Sequence, residues 1–305
     1  MPEFRIIYVP GMKPKPPAEE YRRALLRVLL CGLARVDPRT AKQLEAEPEA
    51  FRLIPWTFGF YRRHADIEPD RPGIEALLRH PDPSAVDIAE IDSIARKVAR
   101  SVRVLGDAAP WFGRIIARSE TRLTLREARD YLSNHGGLGD EVRQMLKTEL
   151  RDSWHDSCRV LLIGHSLGSV IAYDSLWELT HIDGTENVVD LFITLGSPLA
   201  SRFVAHRVRG ASETGAAKYP ANIRRWANFS ARAEMTALHP ELRPYYGEMV
   251  DLGLLESLDD YAEIYNHFRG PIGLNPHKSY GYLANREFAE RVSEWLAEVT
   301  RPGAR

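Results

Sequence analysis

Cysteine is nearly absent: Cys31 and Cys158 are the two in 305 residues. They form no C-x-x-C pair and no zinc-ligand spacing, which excludes a disulfide framework and leaves two buried thiols in a reducing compartment as the expectation. A surplus of charge of either sign is lacking too. The formal net charge is −1, so nothing electrostatic favours a nucleic acid, whose binders carry a basic excess. No run of 18 apolar residues occurs, and no membrane-spanning helix is expected. The opening "MPEFRIIYVPGM" lacks the basic stretch and long apolar run of a secretory signal, which makes the cytoplasm the expected location. Internal repeats and low-complexity tails are missing as well. What remains is the composition of an ordinary globular protein, 44% hydrophobic and 27% charged, long enough to bury a core without disulfide or metal.

The order of patterns points to α/β architecture. "FRIIYVP" (4–10) reads as a buried strand stopped by Pro-Gly, and helical spacing follows from Tyr21 to Leu33. "FRLIPWTFGF" (51–60) is a second strand candidate, weakened by Pro55, which removes a ladder donor. Residues 61–150 then break the alternation. They predict a long amphipathic helix over 83–105, shorter ones in "APWFGRIIARS" and "TLREARDYLSN", and a helix in "EVRQMLKTELRDSWHDS" capped by Asp140. This stretch reads as a mostly helical insertion capping a core formed by 1–60 and 151–305. A near-continuous apolar run at 158–164 predicts a central strand covered on both faces, a helix follows over 166–180, and further strands are expected at 188–198 and 223–230. A weaker strand is expected at 261–268 and a closing helix at 285–300. Residues 205–220 read as a polar loop. The whole predicts a mainly parallel sheet between helices.

"VLLIGHSLGSVIAY" carries the most chemistry. Gly164-His165-Ser166-Leu167-Gly168 is a G-x-S-x-G, which by itself arises by chance in roughly one chain in ten of this length. Here a buried strand precedes it and a helix follows, the setting of a nucleophile elbow. A serine there occupies a strained turn, glycines on either side admit neighbouring backbone, and the helix N-terminus faces developing negative charge. Acyl transfer also needs oxyanion donors. One is the N–H of Leu167. The other is expected in the loop after the first strand, Pro10-Gly11-Met12, from Met12 or Gly11. Lys13 and Lys15 beside it read as contacts for an anionic head group or as a solvated charged loop.

A serine nucleophile of this kind is followed in the chain by an acid and then a histidine. His277, in the glycine- and proline-shaped loop "GLNPHKSYGYL" before the last helix, is the candidate base. His165 lies inside the elbow, His239 too early, and His267 within the weak strand. The acid is expected after "IRRWANFS": Glu234 comes first, with Asp251 and then Asp259 or Asp260 as alternatives. A glutamate orients an imidazole as an aspartate does, with longer reach.

With these residues in place, the chain resembles the α/β-hydrolase superfamily, most closely serine hydrolases of the lipase/esterase type, and distantly GPI inositol-deacylase-like proteins. The matching segments are "IIYVPGM", "VLLIGHSLGSVIAYD", "LFITLGSPL", "RRWANFSARAEM" and "NPHKSYGYL"; residues 61–150 have no counterpart. Such proteins commonly carry an aspartate where Glu234 stands here. The resemblance implies an α/β-hydrolase fold and a serine esterase or lipase. Ser166 would be its nucleophile, His277 its base and Glu234 its acid. The reaction would run through an acyl-enzyme on a small-molecule or lipid ester, without metal or organic cofactor. "PWFGRII" could touch a lipid surface or form a buried helix face. Transfer to an acceptor other than water, peptide cleavage, or a catalytically silent binding scaffold are the competing readings.

Overall fold

The computed structural model describes residues 3–105, 128–234 and 239–301, and the side chains of all of these except 97–105. Six parallel strands form one sheet in the order β2-β1-β3-β4-β5-β6. They are β1 (Phe4–Val9), β2 (Phe51–Leu53), β3 (Arg159–His165), β4 (Val189–Leu195), β5 (Ile223–Ala231) and β6 (Ser257–Ile264). Side chains alternate between the two faces, as the pleat requires. Ile6, Tyr8, Leu161 and Ile163 face one helical layer, while Ile7, Val9, Val160 and Leu162 face the other.

The first layer contains α1 (Ala18–Val36), α2 (Pro38–Ala46), α4 (Arg71–Arg79), the short α8 (Ser279–Leu283) and α9 (Arg286–Val299). The second contains α6 (Leu138–His155) and α7 (Leu167–His181), with Trp56 of α3 (Trp56–Tyr61) packed beside them. A long helix, α5, runs over Ala85–Leu105. The stretch 61–150 therefore supplies helices to both layers: Ile74 and Leu77 of α4 to one, Val142, Leu146 and Leu150 of α6 to the other. Each such fully buried aliphatic side chain contributes about 1.5–3 kcal/mol of transfer free energy.

Three expectations are corrected. The strand at 51–60 ends at Leu53, and Trp56–Tyr61 is helical. Pro55 closes the extended run, and the Trp56 indole N–H is used instead on the Pro10 carbonyl, 2.8 Å away. The weak strand at 261–268 lies earlier, at Ser257–Ile264. Its acidic residues are tolerated because β6 is an edge strand, largely half-exposed. Asp140 does not cap α6. That helix begins at Leu138 behind left-handed Gly137, and Asp140 sits in its first turn, accepting from Asn134 Nδ2 at 2.8 Å. Within 205–220 a helical turn forms at Gly215–Lys218. "PWFGRII" lies outside the described residues.

The chain runs from β1 outward to β2, then returns to place β3 on the other side of β1. In open parallel sheets, this reversal opens a crevice at the carboxyl ends of the two strands where ligands bind. Gly11 follows β1 there and Ser166 follows β3. Among the described residues no helix is long and apolar enough to cross a membrane.

Candidate active site

Ser166 connects β3 to α7 with φ 53° and ψ −126°. A serine with positive φ holds strain of order 1–3 kcal/mol and persists only where its surroundings fix it. Here the Ser166 N–H donates to the Leu195 carbonyl at the end of β4, at 2.9 Å. The Ser166 carbonyl accepts from the Ser169 hydroxyl at 2.6 Å. With that proton committed, the Ser197 hydroxyl, 2.6 Å from Ser169 Oγ, is the donor of their mutual bond. The turn is thereby bolted to the adjoining strand. The flanking glycines have a direct steric reason. A Cβ on Gly164 would lie 2.5 Å from Ser169 Cα, and one on Gly168 would run into the Val9 carbonyl. Leu167 is the first residue of α7, so its N–H has no partner inside the helix.

The loop after β1 is fastened from several directions. Besides the indole bond to Pro10, Lys15 Nζ donates to the Met12 carbonyl at 2.6 Å, and the Lys13 N–H donates to the Tyr61 hydroxyl at 2.8 Å. Gly11 is buried against the serine, and a Cβ there would lie 2.8 Å from Ser166 Cβ. The Gly11–Met12 segment thus lies beside Ser166.

His277 arrives from the far end of the chain. Its Nδ1 donates to Glu234 Oε1, so Nε2 is the nitrogen left for proton transfer. Glu234 reaches it from the turn after β5, in which Ala233 is left-handed (φ 69°). The loop bearing His277 is clamped by fully buried Asn266, whose Nδ2 donates to the carbonyls on either side, Pro276 at 2.7 Å and Lys278 at 2.9 Å. Gly281 is glycine because a Cβ would overlap the Asn266 amide. Lys278 pairs with Asp70 at 2.5 Å.

The competing residues lie elsewhere. Asp251 is exposed at the end of a short helix. Asp259 accepts from Arg291 at 3.1 Å, and Asp260 from the Leu242 and Arg243 N–H groups at 2.8 and 2.9 Å. His239 is exposed, 6.0 Å from the Tyr245 ring, and His267 bonds the His80 carbonyl at 3.0 Å. His165 is nearer than its place in the elbow suggested. Its Nε2 donates to the His277 carbonyl at 2.8 Å, and the two rings are 4.8 Å apart. The imidazole is buried, and desolvation, followed by the charges of His277 and Lys15, drives its pKa well below the ordinary value.

Sequence reasoning missed Ser169, Ser197, Asn266, Gly196 and Tyr282. Ser169 alone had a local signal, three residues after Ser166 on the helix that the G-x-S-x-G precedes. The others are brought in by tertiary structure. Among the described residues, no group of three or more His, Cys, Asp or Glu side chains is arranged to hold a metal ion. In comparisons with known proteins, the chain matches no family model, no curated protein and no solved structure.

Proposed function

We propose that the protein is a serine hydrolase of α/β-hydrolase type that cleaves carboxylic esters. One observation carries the reading. A serine held at positive φ between a strand and a helix directly follows His165, whose ring lies 4.8 Å from that of His277, and the Nδ1 of His277 is committed to a buried carboxylate. Ser166 Oγ attacks the ester carbonyl carbon and His277 Nε2 takes its proton. Glu234 holds the ring in the required tautomer and stabilises the imidazolium. The tetrahedral oxyanion is met by the Leu167 N–H and a donor from Gly11–Met12, aided by the N-terminus of α7. His277 returns the proton to the leaving alkoxide. Water, deprotonated by His277, then hydrolyses the acyl-enzyme and restores the Ser166 hydroxyl. Every proton is accounted for by these side chains.

The test is a fluorophosphonate probe on the wild type, Ser166→Ala and His277→Ala, beside hydrolysis of p-nitrophenyl esters of several chain lengths. Labelling lost with Ser166 and hydrolysis lost with either residue is expected, and the chain-length profile divides esterase from lipase. A folded wild type that neither labels nor hydrolyses any ester would overturn the proposal in favour of a binding scaffold.

A further inference from the structure

We propose that Tyr282 is a positioning residue for the acid, and that its hydroxyl, with the space left by Gly196, is what allows a glutamate to serve at position 234. This rests on the hydrolase reading.

A glutamate has one more rotatable bond than an aspartate, so its carboxylate needs a second anchor to present one oxygen steadily to an imidazole. Glu234 has that anchor. Oε1 accepts from His277 Nδ1, and Oε2 accepts from the Tyr282 hydroxyl. The Tyr282 oxygen in turn accepts from the Ala231 N–H at 2.9 Å, at the end of the strand that delivers the glutamate. The phenol therefore has one acceptor role and one donor role, both filled, which aims its proton at the carboxylate. Tyr282 is fully buried, and burial followed by the Glu234 charge pushes its phenol well above the ordinary value. It remains a donor across the working pH range.

Gly196 completes the socket. It follows β4 with φ 52°, and a Cβ there would run into Glu234 Oε1. The carboxylate thus lies in the space a side chain would otherwise fill. Tyr282 also belongs to the same short segment as His277, five residues on. Base and acid-holder move as one piece, so the Glu234–His277 register is set by α8 rather than by the glutamate's own rotamer.

The experiment compares wild type, Tyr282→Phe, Glu234→Ala, their double variant and Tyr280→Phe, by ester kinetics and by the proton resonance of the His277 Nδ1–H. Tyr280 is a neighbouring buried phenol whose hydroxyl bonds nothing among the described residues. Losing one hydrogen bond to a charged group is expected to lower kcat about 10-fold or more, with KM within about twofold. In the Glu234→Ala background, Tyr282→Phe is expected to add nothing, because its effect runs through that carboxylate. Tyr280→Phe should leave kcat unchanged. An unaltered kcat in Tyr282→Phe, or a loss that multiplies with that of Glu234→Ala, overturns the inference and leaves the hydrolase reading standing. If the wild type hydrolyses no ester, the hydrolase reading fails, and the Nδ1 proton still decides: a shift in Tyr282→Phe alone supports the link, and an unmoved resonance refutes it. Should Tyr282→Phe not fold, 3-fluorotyrosine placed at 282 keeps the shape and makes the phenol a stronger donor. It should then move the same resonance, and no movement overturns the inference.

Discussion

The ring of His277 lies 4.8 Å from that of His165, and its own carbonyl accepts the His165 Nε2–H at 2.8 Å. The candidate base therefore rests on the residue that immediately precedes the candidate nucleophile. The bond needs a neutral His165 with its proton on Nε2, which agrees with its strongly depressed pKa.

This arrangement has a pH signature. The unfolded chain protonates His165 near its ordinary value of 6.5, whereas the folded chain resists. The folded state binds fewer protons, so the stability held above about 6.5 is lost as pH falls below it. His165→Gln, which retains an N–H donor, should flatten the decline. Melting temperatures of the two proteins between pH 7 and pH 5 check this, and parallel slopes would contradict it.

Glu234→Gln should lower kcat by about 10²–10⁴-fold with little change in KM, because the amide favours the wrong tautomer of His277 and gives no charge to the imidazolium. Asp251→Asn, at an exposed position, should leave both constants unchanged. Steady-state kinetics decide between the two acids, and the reverse pattern would move the role to Asp251.

Gly196→Ala and Gly184→Ala separate backbone cost from site geometry. Both glycines have positive φ, 52° and 65°, but an added Cβ meets nothing within 4 Å at Gly184 and meets the Glu234 carboxylate at Gly196. Gly184→Ala should lose about 1–2 kcal/mol of stability to the left-handed backbone and Gly196→Ala at least as much, while only Gly196→Ala should lose hydrolysis. Denaturant titration and ester turnover on the same samples provide the comparison, and equal activities would remove Gly196 from the socket.

The legible parts of the fold were those whose cause is local. β1, β3 and β4 read as apolar runs because both faces of a central parallel strand are covered, whereas β5 carries Arg224, Arg225 and Asn228 among its apolar residues. β6 was misplaced because an edge strand half-open to water can carry Ser257, Asp259, Asp260 and Glu263 and so lacks that run. Residues 56–60 read as strand because so short a stretch, rich in aromatic residues, has no distinguishing period. At the site, Ser166 is marked by glycines two residues to either side, which answer to backbone contacts with Ser169 and Val9, and His277 by its place before the closing helix. Tyr282, Gly196 and Asn266 carried no such mark. Tyr282 bonds a partner 48 residues distant, and no spacing rule reaches that far.

Asp174 on α7 should show a pH dependence of opposite sign to that of His165. It is fully buried and accepts from the Tyr131 hydroxyl at 2.9 Å and the Arg209 N–H at 2.8 Å. Desolvation outweighs these bonds, and its pKa is raised from 3.8 to about 6. Between those values the folded state keeps a proton that the unfolded chain has released, so stability falls as pH rises through the window, by about 3 kcal/mol in all. Asp174→Asn retains an acceptor for the Arg209 N–H and presents an N–H₂ to the Tyr131 oxygen. It should therefore gain on the wild type as pH rises from about 4 to 6.5. Denaturant unfolding at the two ends measures the difference. If the wild type instead gains on the variant, the carboxylate is stabilised as an ion by Tyr131, Arg209 and the nearby Arg143, and solvation is not the controlling force. With His165 losing stability toward acid and Asp174 toward neutrality, the two slopes oppose one another between about pH 4 and 6, and removing either alone should tilt the stability profile in the direction set by the other.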